Sequence, residues 1–379
     1  MFKRIVTNTL ARADVAVNGD RPWDVRVNDE RFYRRAIRGS LGLGESYIDG
    51  DWDVEELDEL FRHLLAAATH TGALSRINRF YHDLRSRLRN LQSRKRSQAV
   101  AEEHYNLDHR MYEQFLGPWN QYTCCFFTDT DDLRQAEINK LEMICNKLEI
   151  NENDRVLDIG CGWGGFAKYA ARYRGCEITG VTISTEQAGF AREHTAGLPV
   201  DIVLADYRDL PASLDTKFDK ILICGMIEHV GYKNYQTLMR VVYQLLDDDG
   251  LFLLHTIGNS EDTTIVDPWI EKYIFRNSMA PSMAQLAKSI QGLFSAHDWE
   301  NYGHFYSSTL SAWQARFEKN WEKIKALTGK QAFDEKFRRM WNYYLLSSKA
   351  AFDLEQLLLW QIVMSKMGSR DTVYTRVTA

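Results

Sequence analysis

Three stretches of the chain gather residue types that can do chemistry. In Asp158-Ile159-Gly160-Cys161-Gly162-Trp163-Gly164-Gly165, closely spaced glycines strip side chains from a turn so that a ligand can reach the backbone, and an acid stands two residues ahead of them. Glu228-His229 sets a carboxyl beside an imidazole shortly after the apolar run Lys220-Ile221-Leu222-Ile223-Cys224. Gln121-Tyr122-Thr123-Cys124-Cys125-Phe126-Phe127 sets two thiols side by side between aromatic rings. Such a pair suits a strained disulfide, part of a metal site, a nucleophile or plain packing. The six cysteines, at 124, 125, 145, 161, 176 and 224, show neither Cys-x-x-Cys spacing nor the density of a disulfide scaffold. The ten histidines form no His-x-x-x-His pair. Reduced thiols and no metal are therefore expected.

These residues need a scaffold, and the pattern beyond about residue 150 supplies one. Apolar runs at 155–160, 177–182, 200–204, 220–224 and 251–255 alternate with helical stretches. This predicts a mostly parallel sheet covered on both faces, with ligands at the carboxyl ends of its strands. The first strand runs straight into the glycine motif. Gly160, Gly162 and Gly165 satisfy a dinucleotide fingerprint, while Asp158 ahead of Gly160, Gly162 and Gly164 is the pattern of class I S-adenosylmethionine methyltransferases. A dinucleotide site wants an acid at the end of the second strand, but this strand ends at Thr182. Together with Asp158, that places a sulfonium ligand ahead of NAD. Thr182 also departs from the commonest methyltransferase arrangement, in which an acid holds the ribose, and Ser184 and Gln187 could supply hydrogen bonds instead.

With 379 residues, 45% hydrophobic and 26% charged, the chain reads as globular and long enough for two domains or one large domain with additions. Residues 1 to about 73 mix helical patterns with turn signals, and Gly42-Leu43-Gly44-Glu45 reads as a turn rather than a phosphate loop. Leu74, Ile77, Tyr81, Leu84, Leu88 and Leu91 recur at helical steps, with arginines on the remaining face. From Arg76 to Arg96 the charge is +7, against −5 for the whole chain. The chain as a whole thus does not resemble a nucleic-acid binder. The basic helix suits either packing on a neighbouring domain or attraction to anionic headgroups. The expected organisation is a small mainly helical N-terminal domain over 1–92 that includes the basic helix at 74–91, a linker at 93–100, and a catalytic domain over 101–379 with a helical insertion near 260–295. No apolar run is long enough to span a bilayer, and the charged start Met1-Phe2-Lys3-Arg4 does not read as a signal, so a cytoplasmic location is expected.

The motifs in order resemble the cyclopropane-fatty-acyl-phospholipid synthases over nearly the whole chain. The resemblance is carried by Leu41-Gly42-Leu43-Gly44-Glu45-Ser46-Tyr47, Glu103-His104-Tyr105, Val156 through Gly165, Gly180-Val181-Thr182-Ile183-Ser184, Asp206-Tyr207-Arg208-Asp209-Leu210, Met226-Ile227-Glu228-His229-Val230-Gly231, His255-Thr256-Ile257-Gly258, Asp267-Pro268-Trp269-Ile270 and Lys272-Tyr273-Ile274-Phe275. It implies a class I, Rossmann-like α/β fold with a C-terminal antiparallel strand. It also implies methyl transfer from S-adenosylmethionine to a cis double bond of a phospholipid acyl chain, with ring closure after a bicarbonate ion removes a proton. The bicarbonate ligands carry over onto Cys124 and Ile257 through their backbones and onto Glu228, His255 and Tyr306 through their side chains. For the cofactor the carry-over gives Tyr122, Thr123, Asp158, Gly160, Gly162, Gly164, Thr182, Gln187, Tyr207 and Arg208, with His229 close by. Neither Cys124 nor Cys125 is then expected to act as a nucleophile. A substrate in a bilayer favours the lipid reading of the basic helix, as a peripheral protein on the inner face of the cell membrane, and the family makes a homodimer the expectation. Arg276-Asn277-Ser278 and Ser348 depart from common family residues near the expected acyl channel.

Overall fold

The computed structural model describes residues 1–70, 108–329, 332–369 and 374–377. The basic helix at 74–91, the linker at 93–100 and the Glu103-His104-Tyr105 motif lie outside them. The described N-terminal residues form the helices Phe2–Arg12, Arg31–Ala36, Ser40–Ile48 and Leu57–His70, with a short antiparallel pair, β1 (Arg26–Val27) and β2 (Trp52–Asp53). Gly42 and Gly44 sit inside the Ser40–Ile48 helix, which corrects the reading of this stretch as a turn. The two glycines serve close packing: a Cβ on Gly44 would lie 2.3 Å from Trp269 Cδ1, and one on Gly42 would lie 1.9 Å from the Arg35 carbonyl oxygen. Glycine's helix penalty, roughly 1 kcal/mol, is offset here by the approach of a fully buried tryptophan.

The central sheet has seven strands, with β5 (Val200–Leu204), β4 (Glu177–Thr182), β3 (Arg155–Ile159), β6 (Phe218–Cys224), β7 (Leu246–Asn259), β9 (Leu357–Lys366) and β8 (Phe294–Asn301) side by side in that order. Five are parallel: β3, β4, β5, β6 and β7. The buried apolar positions of β3, β6 and β7 explain why continuous apolar runs marked them. β8 and β9 complete the sheet, with β9 antiparallel to both β7 and β8. The order reverses between β3 and β6, the switch point where sheets of this kind open a crevice.

Between β7 and β8 the chain forms the short helices Pro268–Tyr273 and Met283–Ile290. The helix Glu335–Asp353 joins the N-terminal helices to the first of these. Its Tyr343 ring packs against Tyr47, Phe61 and Trp269, and its Arg339 donates to the carbonyls of Tyr47 and Trp52. The N-terminal helices and the aromatic cover of the crevice accordingly share one buried cluster.

Candidate functional site

The site is built where β3, β4, β6 and β7 end. Backbone pairing sets Asp158 beside Gly180 and Leu222, and Cys224 beside His255. Gly160, Gly162 and Gly164 all take positive φ, at 90°, 54° and 77°. A Cβ on Gly162 would meet nothing within 4 Å, so the turn bares its backbone to open space at the start of the helix Gly165–Arg174. Asp158 is buried, and burial pushes its carboxyl up to about 7 while Lys140 pulls the other way.

At the end of β4 the Thr182 hydroxyl donates to Gln187 Oε1 at 2.8 Å, which leaves the Gln187 NH2 group as the donor end of the pair. Ser184 caps the helix Thr185–His194 by accepting from the Gln187 backbone N–H. Ser184 is thus engaged in the backbone of its own helix. After β5, the buried ring of Tyr207 lies under the Arg208 guanidinium at 4.7 Å, and Arg208 pairs with Asp206 at 2.8 Å.

Glu228, in the turn after β6, reaches β7 two residues beyond His255. The Ile257 backbone, expected from the resemblance to contact bicarbonate, donates its N–H to Glu228 Oε1 at 2.7 Å. Glu228 Oε2 has no protein partner among the described residues, and burial pushes the group up to about 7. His255 contacts Gln361 Nε2 through Nδ1 at 3.2 Å, while its Nε2 is buried without a partner among the described residues. Burial, with Lys140 and Lys147 adding positive charge, lowers its imidazole to about 3, so it is neutral at physiological pH. Burial likewise lowers His229, to about 4. Tyr306 is buried, stacks on Phe352 at 4.2 Å, and lies within electrostatic reach of both Glu228 and Cys124.

The segment carrying Tyr122, Thr123 and Cys124 lies across this crevice, fastened from two sides. Phe126 N–H donates to the Ala136 carbonyl of the helix Leu133–Lys147, and Cys125 N–H donates to Thr309 Oγ1 of the helix His304–Lys319. The Tyr122 hydroxyl donates to Tyr344 at 2.8 Å, and its ring stacks on Trp313 at 5.3 Å. Cys124 and Cys125 are free and buried, and burial drives both thiols up, so they stay protonated.

Sequence reasoning missed the groups that set this segment. Lys140, fully buried, donates to Gln121 Oε1 and, at 3.0 Å, to Thr123 Oγ1. Glu137, also fully buried, accepts from the backbone N–H groups of Trp119 and Gln121. They stand three positions apart along one helix among polar neighbours, and no local signal marks their burial. Gln361 was missed for a different reason: it is one polar residue in the apolar run of β9.

The mycolic acid cyclopropane synthetase family matches residues 92–362. The cyclopropane-fatty-acyl-phospholipid synthase of Escherichia coli (strain K12) is 44% identical over 364 residues, covering 96% of this chain and 93% of that protein. Among solved structures, the mycolic acid cyclopropane synthase CmaA1 complexed with SAH and CTAB matches at a TM-score of 0.62 and 25% identity, over 70% of this chain and 97% of that one. Coclaurine N-methyltransferase bound to N-methylheliamine and SAH shares the fold at a TM-score of 0.71 and 24% identity, over 86% of this chain and 99% of that one.

Proposed function

The chain belongs to the mycolic acid cyclopropane synthetase family, and from that premise we propose that it builds a cyclopropane ring on the cis double bond of an unsaturated phospholipid acyl chain, with bound bicarbonate as the base. The observation that carries this reading is that Glu228 Oε2, just after β6, and His255 Nε2, on the neighbouring β7, are both buried without a partner among the described residues. A buried polar atom without a partner costs about 1–3 kcal/mol, which a small polar ligand at this place would recover.

Both groups fit the residues present. Tyr122, Thr123, Asp158, Gly160, Gly162, Gly164, Thr182, Gln187, Tyr207 and Arg208 would hold S-adenosylmethionine, which supplies an electrophilic methyl. Glu228, His255, Tyr306 and the backbones of Cys124 and Ile257 would hold bicarbonate, which supplies a base that does not itself alkylate the cation.

The chain's own contribution is positional and electrostatic. An alkene is a poor nucleophile, so the segment around Tyr122 must keep methyl and double bond in near contact and exclude water. Cation development calls for aromatic faces, and Tyr122, Tyr306, Trp313, Tyr344 and Phe275 lie in or against one cluster beside the site. Because Glu228 Oε1 is tied to the Ile257 amide, Oε2 is the oxygen left to accept from the anion's own O–H and orient it, while His255 and Tyr306 donate to the anion's other oxygens. A methyl branch without ring closure would need no base for the transferred methyl, and the Glu228 and His255 pair favours the ring over it.

The enzyme claim is tested by incubating the protein with methyl-labelled S-adenosylmethionine and vesicles of cis-unsaturated phospholipid. Label in the acyl chains, heavier by one CH2, is expected; lipid without label sinks the reading. Cys124→Ser should retain activity within about tenfold in the same assay, because the backbone persists and no general acid or base is removed. An absolute thiol requirement would contradict that assignment.

The reading includes a homodimer and docking on an anionic membrane surface. The docking rests on the +7 segment between Arg76 and Arg96. At about 1 kcal/mol per well-placed basic residue, Arg85→Glu, Arg87→Glu and Arg89→Glu together should weaken binding to anionic vesicles by about 10²-fold. Unchanged vesicle binding would remove this segment from the account.

A further inference from the structure

We propose that Gln361 is a positioning residue that fixes the tautomer of His255, keeping its proton on Nε2 and so making that nitrogen the donor facing the base site. The inference rests on the proposed role of His255 and adds what decides which hydrogen bond it can make.

The argument starts from pairing. β9 runs antiparallel beside β7, and the register sets Gln361 directly opposite His255. Both side chains are buried, and the neighbours of Gln361 on the strand, Leu359, Trp360, Ile362, Val363 and Met364, are apolar. A primary amide in such surroundings is costly without a compensating bond. Its one hydrogen bond among the described residues runs from Nε2 to His255 Nδ1, at 3.2 Å. In this orientation the amide NH2 group donates, which makes Nδ1 the lone-pair nitrogen and leaves Gln361 Oε1 buried without a partner among the described residues. A neutral imidazole carries one N–H, and the group is neutral because burial holds it far below its usual range. Its proton therefore belongs on Nε2, the atom with no protein partner among the described residues. Rotating the amide, or placing a carboxylate at 361, would reverse the pattern. Nδ1 would then donate to position 361, and Nε2 would present a lone pair to the site.

The test is a two-bond 1H–15N correlation spectrum of protein labelled with [15N]histidine, recorded without bicarbonate. The His255 signals are assigned by their loss in His255→Gln. The wild-type protein should show the Nε2–H pattern, Gln361→Glu the Nδ1–H pattern, and Gln361→Met a mixture of the two. Turnover by Gln361→Glu should fall by about tenfold or more while KM for S-adenosylmethionine stays within about twofold. Should Gln361→Glu fail to fold, the apolar and similarly shaped Gln361→Met variant still decides. A pure Nε2–H signal in it, or an Nδ1–H signal in the wild-type protein, overturns the proposal. Full turnover by His255→Gln, with the tautomers behaving as expected, would overturn the base-site reading and leave the assignment to Gln361 standing.

Discussion

Glu228→Gln should bind S-adenosylmethionine nearly as the wild-type protein does and lose turnover by about 10²-fold or more, the usual span of a positioned acid or base. The amide keeps a carbonyl oxygen for the Ile257 N–H, so the local fold survives. What it loses is Oε2 as an acceptor for the anion's O–H, on a carboxyl that burial has pushed up to about 7. The same shift makes a stability prediction. A carboxyl whose folded pKa lies above its unfolded one binds its proton more tightly when folded, so the wild-type protein loses stability as pH rises from about 4.5 to about 7. Glutamine has no proton to hold. Relative to wild type, the variant should therefore gain up to about 3 kcal/mol between pH 4.5 and pH 8, read from urea unfolding at several pH values. A constant difference across that range, or near-normal turnover, would contradict the assigned role.

Lys140→Met should destabilise the protein by about 3 kcal/mol at pH 8, because it leaves partners of a buried cation uncompensated. Gln121 Oε1 and Thr123 Oγ1 lose their donor, and Asp158 and Glu137 lose the positive charge that opposes their burial. Both acids already stand at about 7 in the folded state, above their unfolded range. Without Lys140 they rise further, and the added cost appears as pH climbs through that window. The deficit at pH 8 should exceed the deficit at pH 5.5, where the acids can stay protonated. KM for S-adenosylmethionine should rise as well, because Lys140 anchors the segment that carries Tyr122 and Thr123. A deficit below about 1 kcal/mol, the level of an exposed ion pair, would mean that this network does not hold the segment.

The contrast between these two residues shows what the sequence makes legible. Asp158, the glycine turn and Glu228 follow local rules, since strand ends and missing side chains leave marks within a few residues. The apolar runs of β3, β6 and β7 are visible because strands buried on both faces need no alternation. Lys140, Glu137 and Gln361 leave no such mark. Their burial is decided by which elements pack over them, so on a helix or in an apolar strand they read as ordinary members of the pattern. Gly42 and Gly44 fail for a related reason: glycine most often marks a turn, but here Gly42 gives way to the Arg35 carbonyl and Gly44 to Trp269, more than two hundred residues away.

The central claim is that the transferred methyl gives up one proton to a base held by Glu228, His255 and Tyr306 as the ring closes. The most direct measurement supplies S-adenosylmethionine carrying a fully deuterated methyl, together with cis-unsaturated phospholipid vesicles and bicarbonate. Mass spectrometry of the released fatty acids is then run before and after hydrogenation under alkene-reducing conditions. The account predicts a product heavier by one CD2, resistant to hydrogenation, whose formation falls when bicarbonate is removed and returns when it is restored. A product that keeps the whole CD3 group, or one that takes up hydrogen, would contradict it.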